Sequence, residues 1–291
     1  MVRVGLVGFG KVGQFLLDEF INQPDKFEVV FVWNRTGSAL LKHSFLQGHP
    51  ECILDSLDKI GDQDLDIIIE VSHPSTVIKY ANKFLEVANL FVGSPSAFAS
   101  KDLDECVHAV QTGKTKNSIY VPVGALWGSR DISRLAEMKK LTALNITMKK
   151  HPTSYRLEEG EAKTVLDRVL REETEGETIL FKGTVRELCK HAPNNVNTMA
   201  CLALASSPSL GFDAVIGCIV SDPALQSHVI EVDVVGQNGF KVQTIRDNPA
   251  GVGAVTGRAT FDSFLCSILE ACQIFEHSKH SKTRVGKVIL V

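Results

Sequence analysis

The 291-residue sequence has no long hydrophobic run, no paired cysteines and no excess of either charge. No apolar stretch approaches the roughly 18 residues that a membrane-spanning helix needs. The seven cysteines include no CxxC pair and no cluster with histidine, so buried, reduced thiols are expected and a metal site is not. Lys and Arg number 31 against 34 Asp and Glu, a net charge of −3, which argues against a nucleic-acid partner.

The sequence also lacks internal repeats, low-complexity linkers and an amino-terminal signal peptide, because Met1 leads directly into an apolar strand and a glycine loop. A cytoplasmic protein with no membrane partner is therefore expected. Hydrophobic residues make up 44% and charged residues 22%, as in ordinary globular proteins. The length predicts two domains or one large domain, with a sizeable core.

The first half alternates short apolar runs with helical patterns, which predicts an α/β domain with a doubly wound parallel Rossmann sheet. A helix is predicted over residues 74–88. The predicted strands are residues 2–7, 27–33, 66–71, 90–93 and 118–123.

The pattern changes after Gly124, where segregated strands and helices predict a second, α+β domain. We expect the last helix, starting near Phe261, and a final strand over 285–291 to pack back on the first domain. The predicted domains are therefore 1–124, completed by 258–291, and 125–257. The predicted strands are 141–150, 214–220, 228–235 and 240–245, and the predicted helices are near 162–170, 181–190 and 196–205.

The loop after the first strand carries the glycine pattern GxGxxG at the start of a helix. Gly8 permits a tight turn, Gly10 lets the backbone approach a pyrophosphate, and Gly13 lets helix and strand pack closely. The helix N-terminus then offers N–H groups to the phosphates. This context predicts dinucleotide binding by Gly8, Phe9, Gly10, Lys11, Val12 and Gly13.

The ends of the second and third strands carry further candidate cofactor contacts, Asn34, Arg35 and Ser72. An NAD-selective site usually has a carboxylate at the first of these places, and here there is none. Arg35 can pair with a 2′-phosphate, so NADP is expected to be accepted or preferred. The alternative is NAD, with Arg35 as an exposed loop residue.

Several further segments match one family in order and spacing. They are residues 91–94, 121–125, 181–187, 193–197, the Asp222-Pro223 pair and residues 228–231. Together with the glycine loop, they resemble the L-aspartate dehydrogenases across nearly the whole chain. The resemblance implies oxidation of L-aspartate by NAD or NADP to iminoaspartate, which water converts to oxaloacetate and ammonia. It also implies that His228 is the active-site histidine, that Ala125 and Asn197 contact the cofactor, and that the protein is a homodimer.

The residues fit this chemistry, since hydride removal from an amine-bearing carbon needs a base and imine hydrolysis needs an activated water. A histidine that titrates near neutrality can do either task. His228 shares a strand face with Ile230, Val232 and Val234, so it is predicted to point inward. Without the resemblance, a buried core histidine is the simpler interpretation.

Aspartate carries two carboxylates, so its pocket needs cationic or N–H donors. The candidates are Lys150 in the basic run 149–151, Arg186, His191, Asn195 and Thr256. The alternative for the basic run is a solvated strand edge. Asn194 and Asn195 can alternatively cap the next helix.

One segment departs from the family. Asn248-Pro249 is not followed by the family's Lys-Thr-Ser, and Thr256 or Arg258 is left to supply that function. Two alternatives stay open for this reason: a related two-domain oxidoreductase acting on another amino acid, and a dinucleotide-binding sensor without catalysis.

Overall fold

A computed structural model describes residues 1–207, 209–254, 259–279 and 285–291. The chain divides into two compact units, Met1–Pro122 with Ser263–Val291, and Val123–Asp262. The predicted boundaries at 124 and 258 lie close to these. Thr256 and Arg258 fall outside the described residues.

The first unit begins with strands that alternate with helices, as predicted. The strands are β1 (Val2–Val7), β2 (Phe27–Trp33), β3 (Ile67–Glu70), β4 (Asn89–Val92) and β5 (Ile119–Val121). The helices are α1 (Lys11–Ile21), α2 (Ser44–Gly48), α3 (Pro74–Val87) and α4 (Asp104–Gln111).

The second unit contains five helices and five strands among its described residues. The helices are α5 (Ser129–Glu137), α6 (Glu161–Glu172), α7 (Val185–His191), α8 (Asn197–Ala205) and α9 (Gly211–Ala214). The strands are β6 (Leu141–Lys150), β7 (Thr178–Thr184), β8 (Ile216–Ser221), β9 (Ser227–Gly236) and β10 (Lys241–Pro249).

The chain closes with α10 (Ala259–Lys279) and β11 (Val288–Leu290), which complete the first unit's sheet. Its order is β11-β5-β4-β3-β1-β2, and every neighbouring pair is parallel. β3 and β4 are buried along their whole length because helices cover both faces. Ile268, Ala271 and Phe275 of α10 join the same apolar core. The predicted doubly wound Rossmann class is therefore confirmed.

The order of the strands around β1 positions a ligand crevice. The chain places β2 on one side of β1 and then crosses to place β3 on the other side. Open parallel sheets bind ligands outside the carboxyl ends of their strands at such a switch point. The residues that follow β1, β2 and β3 therefore line the place where a dinucleotide is expected.

The second sheet is mixed, in the order β10-β9-β6-β8-β7, with one parallel pair between β6 and β8. β9 alternates strictly between buried and half-buried positions, so it has one covered face. Helices and a mixed sheet confirm the predicted α+β class of this domain. In the part of the chain that the structure describes, no helix combines the length and apolarity needed to cross a bilayer.

Two predicted elements are wrong in their bounds. The helix expected over 181–190 begins only at Val185, because Thr184 and Glu187 form a capping box that fixes its start. Phe181 to Thr184 instead pair with β8 as the end of β7. The strand expected over 240–245 runs on to Pro249, which places Asn248 within β10.

Candidate functional site

The three glycines of the GxGxxG pattern lie in three different environments, Gly8 and Gly10 in the loop between β1 and α1 and Gly13 in the first turn of α1. Gly8 has a φ of +112°, and a Cβ there would lie 2.7 Å from the backbone nitrogen of Ser72. At Gly13 a Cβ would press into the carbonyl oxygen of Gly8, whereas at Gly10 no described heavy atom lies within 4 Å of it. The loop thus packs closely against the end of β3 and stays open at Gly10, which fits the approach of a pyrophosphate.

Asn34 holds this loop in place, although its position at the end of β2 predicted a contact with the cofactor. Its Oδ1 accepts a hydrogen bond from the Phe9 backbone N–H at 3.1 Å. Its Nδ2 donates to the carbonyl of Thr36 at 3.0 Å. Lys11 and Val12 open α1, whose N-terminus carries no side-chain cap from the described residues. The N–H groups of this first turn are therefore suited to bind phosphate.

Arg35 is the second residue after β2 and is exposed. In a Rossmann fold, the residue at this strand end faces the ribose that carries the 2′-hydroxyl or 2′-phosphate. The neighbours Asn34 and Thr36 add no negative charge. The arrangement is therefore compatible with a phosphate at this position.

A buried carboxylate, Glu70, ties together the carboxyl ends of β3 and β4. Its Oε1 accepts hydrogen bonds from the Ser72 backbone N–H at 2.7 Å, the Ser72 hydroxyl at 2.9 Å and the Ser94 hydroxyl at 3.0 Å. Its Oε2 accepts from the Ser94 backbone N–H at 3.1 Å. The Ser72 hydroxyl, predicted to contact cofactor, is thus committed to Glu70. The backbone of Ser72 lies directly against Gly8. By holding Ser72 in place, Glu70 therefore helps to fix the position of the glycine loop.

Burial raises the pKa of Glu70 to about 7, and the four donors limit that rise because they stabilise the charged form. The folded state therefore retains a proton that the unfolded chain, with a pKa of 4.5, has released. Between these two pH values, this group makes folding less favourable as pH rises. The sequence analysis missed Glu70, although a lone carboxylate inside the apolar run 67–70 was a readable signal.

Glu70→Gln is expected to lower the unfolding free energy by about 1–3 kcal/mol, because the amide NH₂ faces a donor and leaves a buried polar group unsatisfied. Urea denaturation at several pH values measures this. Because only wild type has the Glu70 carboxyl, its stability advantage over Glu70→Gln should shrink as pH rises from 4.5 to 7. Glu175→Gln, in an exposed loop, is the control and should stay within about 0.5 kcal/mol. Matching midpoints for Glu70→Gln and wild type would contradict the role of Glu70.

In the second unit, four polar residues stand in register across one end of the sheet. Ser221 on β8 pairs with Lys150 on β6. Lys149 pairs with Val229, which places Lys150 opposite His228 on β9, and His228 pairs with Asn248 on β10. Residues in register share a face, so these side chains form a polar row (Ser221, Lys150, His228, Asn248) on the covered side.

His228 lies inside this polar row, as the alternation of β9 predicted. It is 7% exposed, and its Nε2 lies 2.9 Å from the carbonyl oxygen of Ala254. A carbonyl can only accept, so Nε2 carries the hydrogen and Nδ1 carries the lone pair of the neutral ring. Burial first, and then the positive charge of Lys150, lower the pKa of His228 to about 4. This differs from the expected titration near neutrality: the imidazole is neutral at pH 7.

Lys150 is the buried cation of the polar row. It is 4% exposed, and burial lowers the pKa of its ammonium group to about 8. The adjacent Lys149 lies on the other face of β6, where it forms ion pairs with Glu177 at 2.9 Å and Glu231 at 3.1 Å. Of the two adjacent lysines, Lys149 thus forms ion pairs on the solvated face of β6, whereas Lys150 is a buried amine on the other face.

Asn195 and Asn197, which flank the start of α8, have different environments. Asn195 is buried, accepts from the Arg156 backbone N–H at 2.8 Å, and donates to the carbonyl of Ser154 at 3.4 Å. Its amide thus bonds the segment around Ser154 and Arg156 and does not cap α8. Asn197 has a buried Oδ1, and Ser221 a buried Oγ, without a hydrogen-bond partner among the described residues. Such atoms are suited to receive a ligand's donors.

The remaining predicted residues are placed as follows. Ala125 lies in the turn after β5, next to Gly124, whose φ is +58°. Arg186 forms a two-point ion pair with Asp213 and lies over Phe212, so its charge is already compensated. His191 packs its ring on Phe181. Among the described residues, no group of three or more His, Cys, Asp or Glu side chains is arranged to hold a metal ion.

Both halves of the chain match known protein families. Residues 8–122 match the NAD-binding domain of homoserine dehydrogenase, and residues 131–267 match the C-terminal domain of aspartate dehydrogenase. A zebrafish (Danio rerio) aspartate dehydrogenase domain-containing protein is 45% identical, over 92% of this chain and 94% of its own length. An L-aspartate dehydrogenase of Methanococcoides burtonii is 26% identical, over 86% of this chain and 89% of its own length.

The fold is also that of a solved structure, the aspartate dehydrogenase of Thermotoga maritima. The TM-score is 0.68 at 21% identity, and the similarity covers 97% of this chain and 98% of that one. The Rossmann sheet, its open glycine loop and the mixed sheet of the second unit define a two-domain oxidoreductase with a nicotinamide dinucleotide cofactor. The similarity of both halves, and the 45% identity, show that the chain belongs to the aspartate dehydrogenase family.

Proposed function

We propose that the protein oxidises L-aspartate with NAD or NADP to iminoaspartate, which is then hydrolysed to oxaloacetate and ammonia. The observation that carries this proposal is the polar row, in which a buried amine and a neutral imidazole stand side by side on the covered face of the sheet. A reaction on an amino acid needs groups that exchange protons with nitrogen and with water. The relatives named L-aspartate dehydrogenase support the choice of substrate.

In this proposal, His228 positions the water that attacks the imine carbon. Its Nε2–H is held by the Ala254 carbonyl, so the Nδ1 lone pair has a fixed direction and can accept a hydrogen bond from water. A bound nicotinamide dinucleotide supplies the acceptor for the hydride of the α-carbon. Residues 8–13, Arg35, Ala125 and Asn197 are the proposed cofactor contacts, and the open cradle at Gly10 fits the pyrophosphate.

The substrate contacts are proposed from the same row. Lys150 faces the substrate, and Thr256 is retained from the sequence as a further candidate. The buried Oδ1 of Asn197 can accept from the carboxamide of a nicotinamide or from the substrate's amine. Asn195 stays a proposed substrate contact, although its Oδ1 already accepts from the Arg156 backbone, and the charge of Arg186 is paired with Asp213.

The cofactor is proposed to be NADP in preference to NAD, because Arg35 is exposed shortly after β2 and its guanidinium can pair with a 2′-phosphate. Arg35→Ala is expected to weaken NADPH binding about 10–100-fold, the loss of one charge-assisted pair, while NADH binding changes little. Titration of reduced-nicotinamide fluorescence measures both affinities. Lys26→Ala, at the amino end of the same strand, is the control. Equal losses for both cofactors would contradict a role in reading the phosphate.

A homodimer through the second sheet is also proposed. β10 is an edge strand, and an apolar groove beside it is lined by Trp127, Met138, Phe240 and Val242, which are 73%, 59%, 45% and 41% exposed. Exposed edge strands and apolar patches of this kind are usually covered by a partner chain. Light scattering that gives the mass of a single chain at micromolar concentration would contradict this assembly.

Turnover is tested by absorbance of reduced nicotinamide with L-aspartate and either NAD or NADP, and in reverse with oxaloacetate and ammonia. Turnover specific for aspartate is the expected result. Oxidation of another amino acid instead would favour a related oxidoreductase, for which the missing Lys-Thr-Ser after Pro249 is the supporting observation. Cofactor binding without turnover of any amino acid would contradict an enzymatic role and favour a sensor.

A further inference from the structure

Lys150 differs from every ordinary surface lysine in its surroundings. It is the last residue of β6, is 4% exposed, and stands opposite His228 on one neighbouring strand and Ser221 on the other. Its Nζ lies 5.9 Å from the ring centroid of Tyr155, whose hydroxyl donates to the carbonyls of Met148 and Val220. An imidazole, a hydroxyl and a phenol are thus among the groups near it.

The adjacent Lys149 provides an internal comparison. It has the same covalent structure and the same strand, but two carboxylates hold it at the other face and raise its pKa. Burial shifts the pKa of Lys150 the other way, to about 8. Near neutral to alkaline pH, Lys150 therefore exchanges a proton readily, whereas Lys149 stays an ammonium ion.

The two nitrogen bases of the row are suited to different steps. The pKa of His228 is about 4, so its imidazole is a weak base and holds a proton poorly. The α-ammonium group of an amino acid must lose a proton before its carbon can release a hydride. A neutral primary amine is matched to that proton, because donor and acceptor then have similar basicity.

We propose that Lys150 is a catalytic residue that accepts the proton of the substrate's α-ammonium group, while His228 serves the water step. This inference rests on the proposed oxidation of an amino acid. The N–H bond of the substrate breaks and an N–H bond forms at Nζ of Lys150, which becomes an ammonium ion as the substrate becomes a neutral amine. The amine lone pair then forms the C=N bond as hydride leaves the α-carbon for the nicotinamide. Lys150 later returns its proton to water.

The assignment fixes the sign of the pH dependence. Amine oxidation requires the neutral form of Lys150, so kcat/KM should fall about tenfold per pH unit below about 8. Reduction of the imine in the reverse direction requires the ammonium form, so that rate should fall above about 8. A lysine that only attracts a substrate carboxylate would act in its charged form in both directions.

Lys150→Arg separates these two roles, because guanidinium keeps the positive charge but does not release a proton in this pH range. The expected result is a 10²–10⁴-fold loss of kcat with little change in KM or cofactor affinity. Lys149→Arg is the matched control and should stay within about twofold of wild type. Since a buried arginine can disturb packing, Lys150→Ala provides a second variant, whose activity should be restored in part by added methylamine.

Wild-type kcat and an unchanged pH profile in Lys150→Arg would overturn the proposal, as would failure of methylamine to restore Lys150→Ala that still binds cofactor. A further measurement does not depend on turnover: labelling of Lys150 by acetic anhydride, followed by mass spectrometry across pH. A labelling midpoint near 8 supports the proposal, and a midpoint near 10 overturns it. If wild type oxidises no amino acid, the proposed function fails, and the labelling midpoint still reports separately on Lys150.

Discussion

Gly13→Ala is expected to destabilise the first unit and to abolish cofactor binding. The added Cβ would press on the backbone carbonyl of Gly8, which cannot move aside as the tip of a flexible side chain would. Separating α1 from β1 in a buried contact costs about 1–3 kcal/mol, and more where the backbone must shift. Urea denaturation and titration with reduced cofactor measure the two effects. A loss of affinity beyond detection is expected, because displacement of α1 moves the N–H groups that would hold the phosphates.

Gly10→Ala, three residues earlier at the N-cap of α1, is the matched control for stability. Its φ of −74° and ψ of −167° suit alanine, and no described heavy atom lies within 4 Å of the added Cβ. Its unfolding free energy should therefore stay within about 0.5 kcal/mol of wild type. Affinity should still fall, because the methyl group occupies the space through which a pyrophosphate approaches. Equal stability of Gly13→Ala and wild type would contradict the close packing described here.

The glycine loop was predictable from sequence because its three glycines act through the local backbone. The spacing between a strand and a helix is readable without any tertiary contact. The role of Asn34 in holding the loop could not be predicted from the sequence, since it depends on a hydrogen bond from Phe9, 25 positions earlier. An amide at that strand end has the same appearance in the sequence whether it faces a ribose or a loop.

Glu70 is a second residue whose role depends on contacts that the sequence does not reveal. Its position at the end of an apolar strand is visible, but its partners are two serines, and one of them lies 24 residues away, just after β4. Burial raises its proton affinity and the two serines lower it, and neither effect is visible in the residue type. By contrast, Thr184 and Glu187 indicate the start of α7 in the sequence itself. The helix predicted over 181–190 began four residues too early because that capping signal was not used.

The sequence predicted the position of His228 in the polar row, but not the residues beside it. The alternation of His228 with Ile230, Val232 and Val234 predicted its covered face correctly, because the period of a strand is local. That Lys150 and Ser221 stand beside it depends on the register of three strands, which no local pattern specifies. The low pKa of His228 follows from that register and from burial, so titration near neutrality was the wrong expectation.

His228→Ala is expected to reduce turnover by about 10²–10⁴-fold while cofactor affinity changes less than about twofold. The residue lies in the second unit, whereas the glycine loop lies in the first, so loss of the imidazole leaves the loop's geometry intact. Steady-state assays with L-aspartate and a fluorescence titration of reduced cofactor measure the two quantities. His108→Ala, on the exposed face of α4, is the control and should match wild type in both.

A pH series of unfolding free energies tests the environment of His228 independently of catalysis. Because its pKa is lowered from 6.5 to about 4 on folding, the unfolded chain binds more protons between these values. Stability contributed by this group should therefore rise with pH through that window in wild type, and His228→Ala should lack the increment. If cofactor affinity and turnover instead fell together in His228→Ala, the histidine would be acting through the fold, and its assignment to the water step would be wrong.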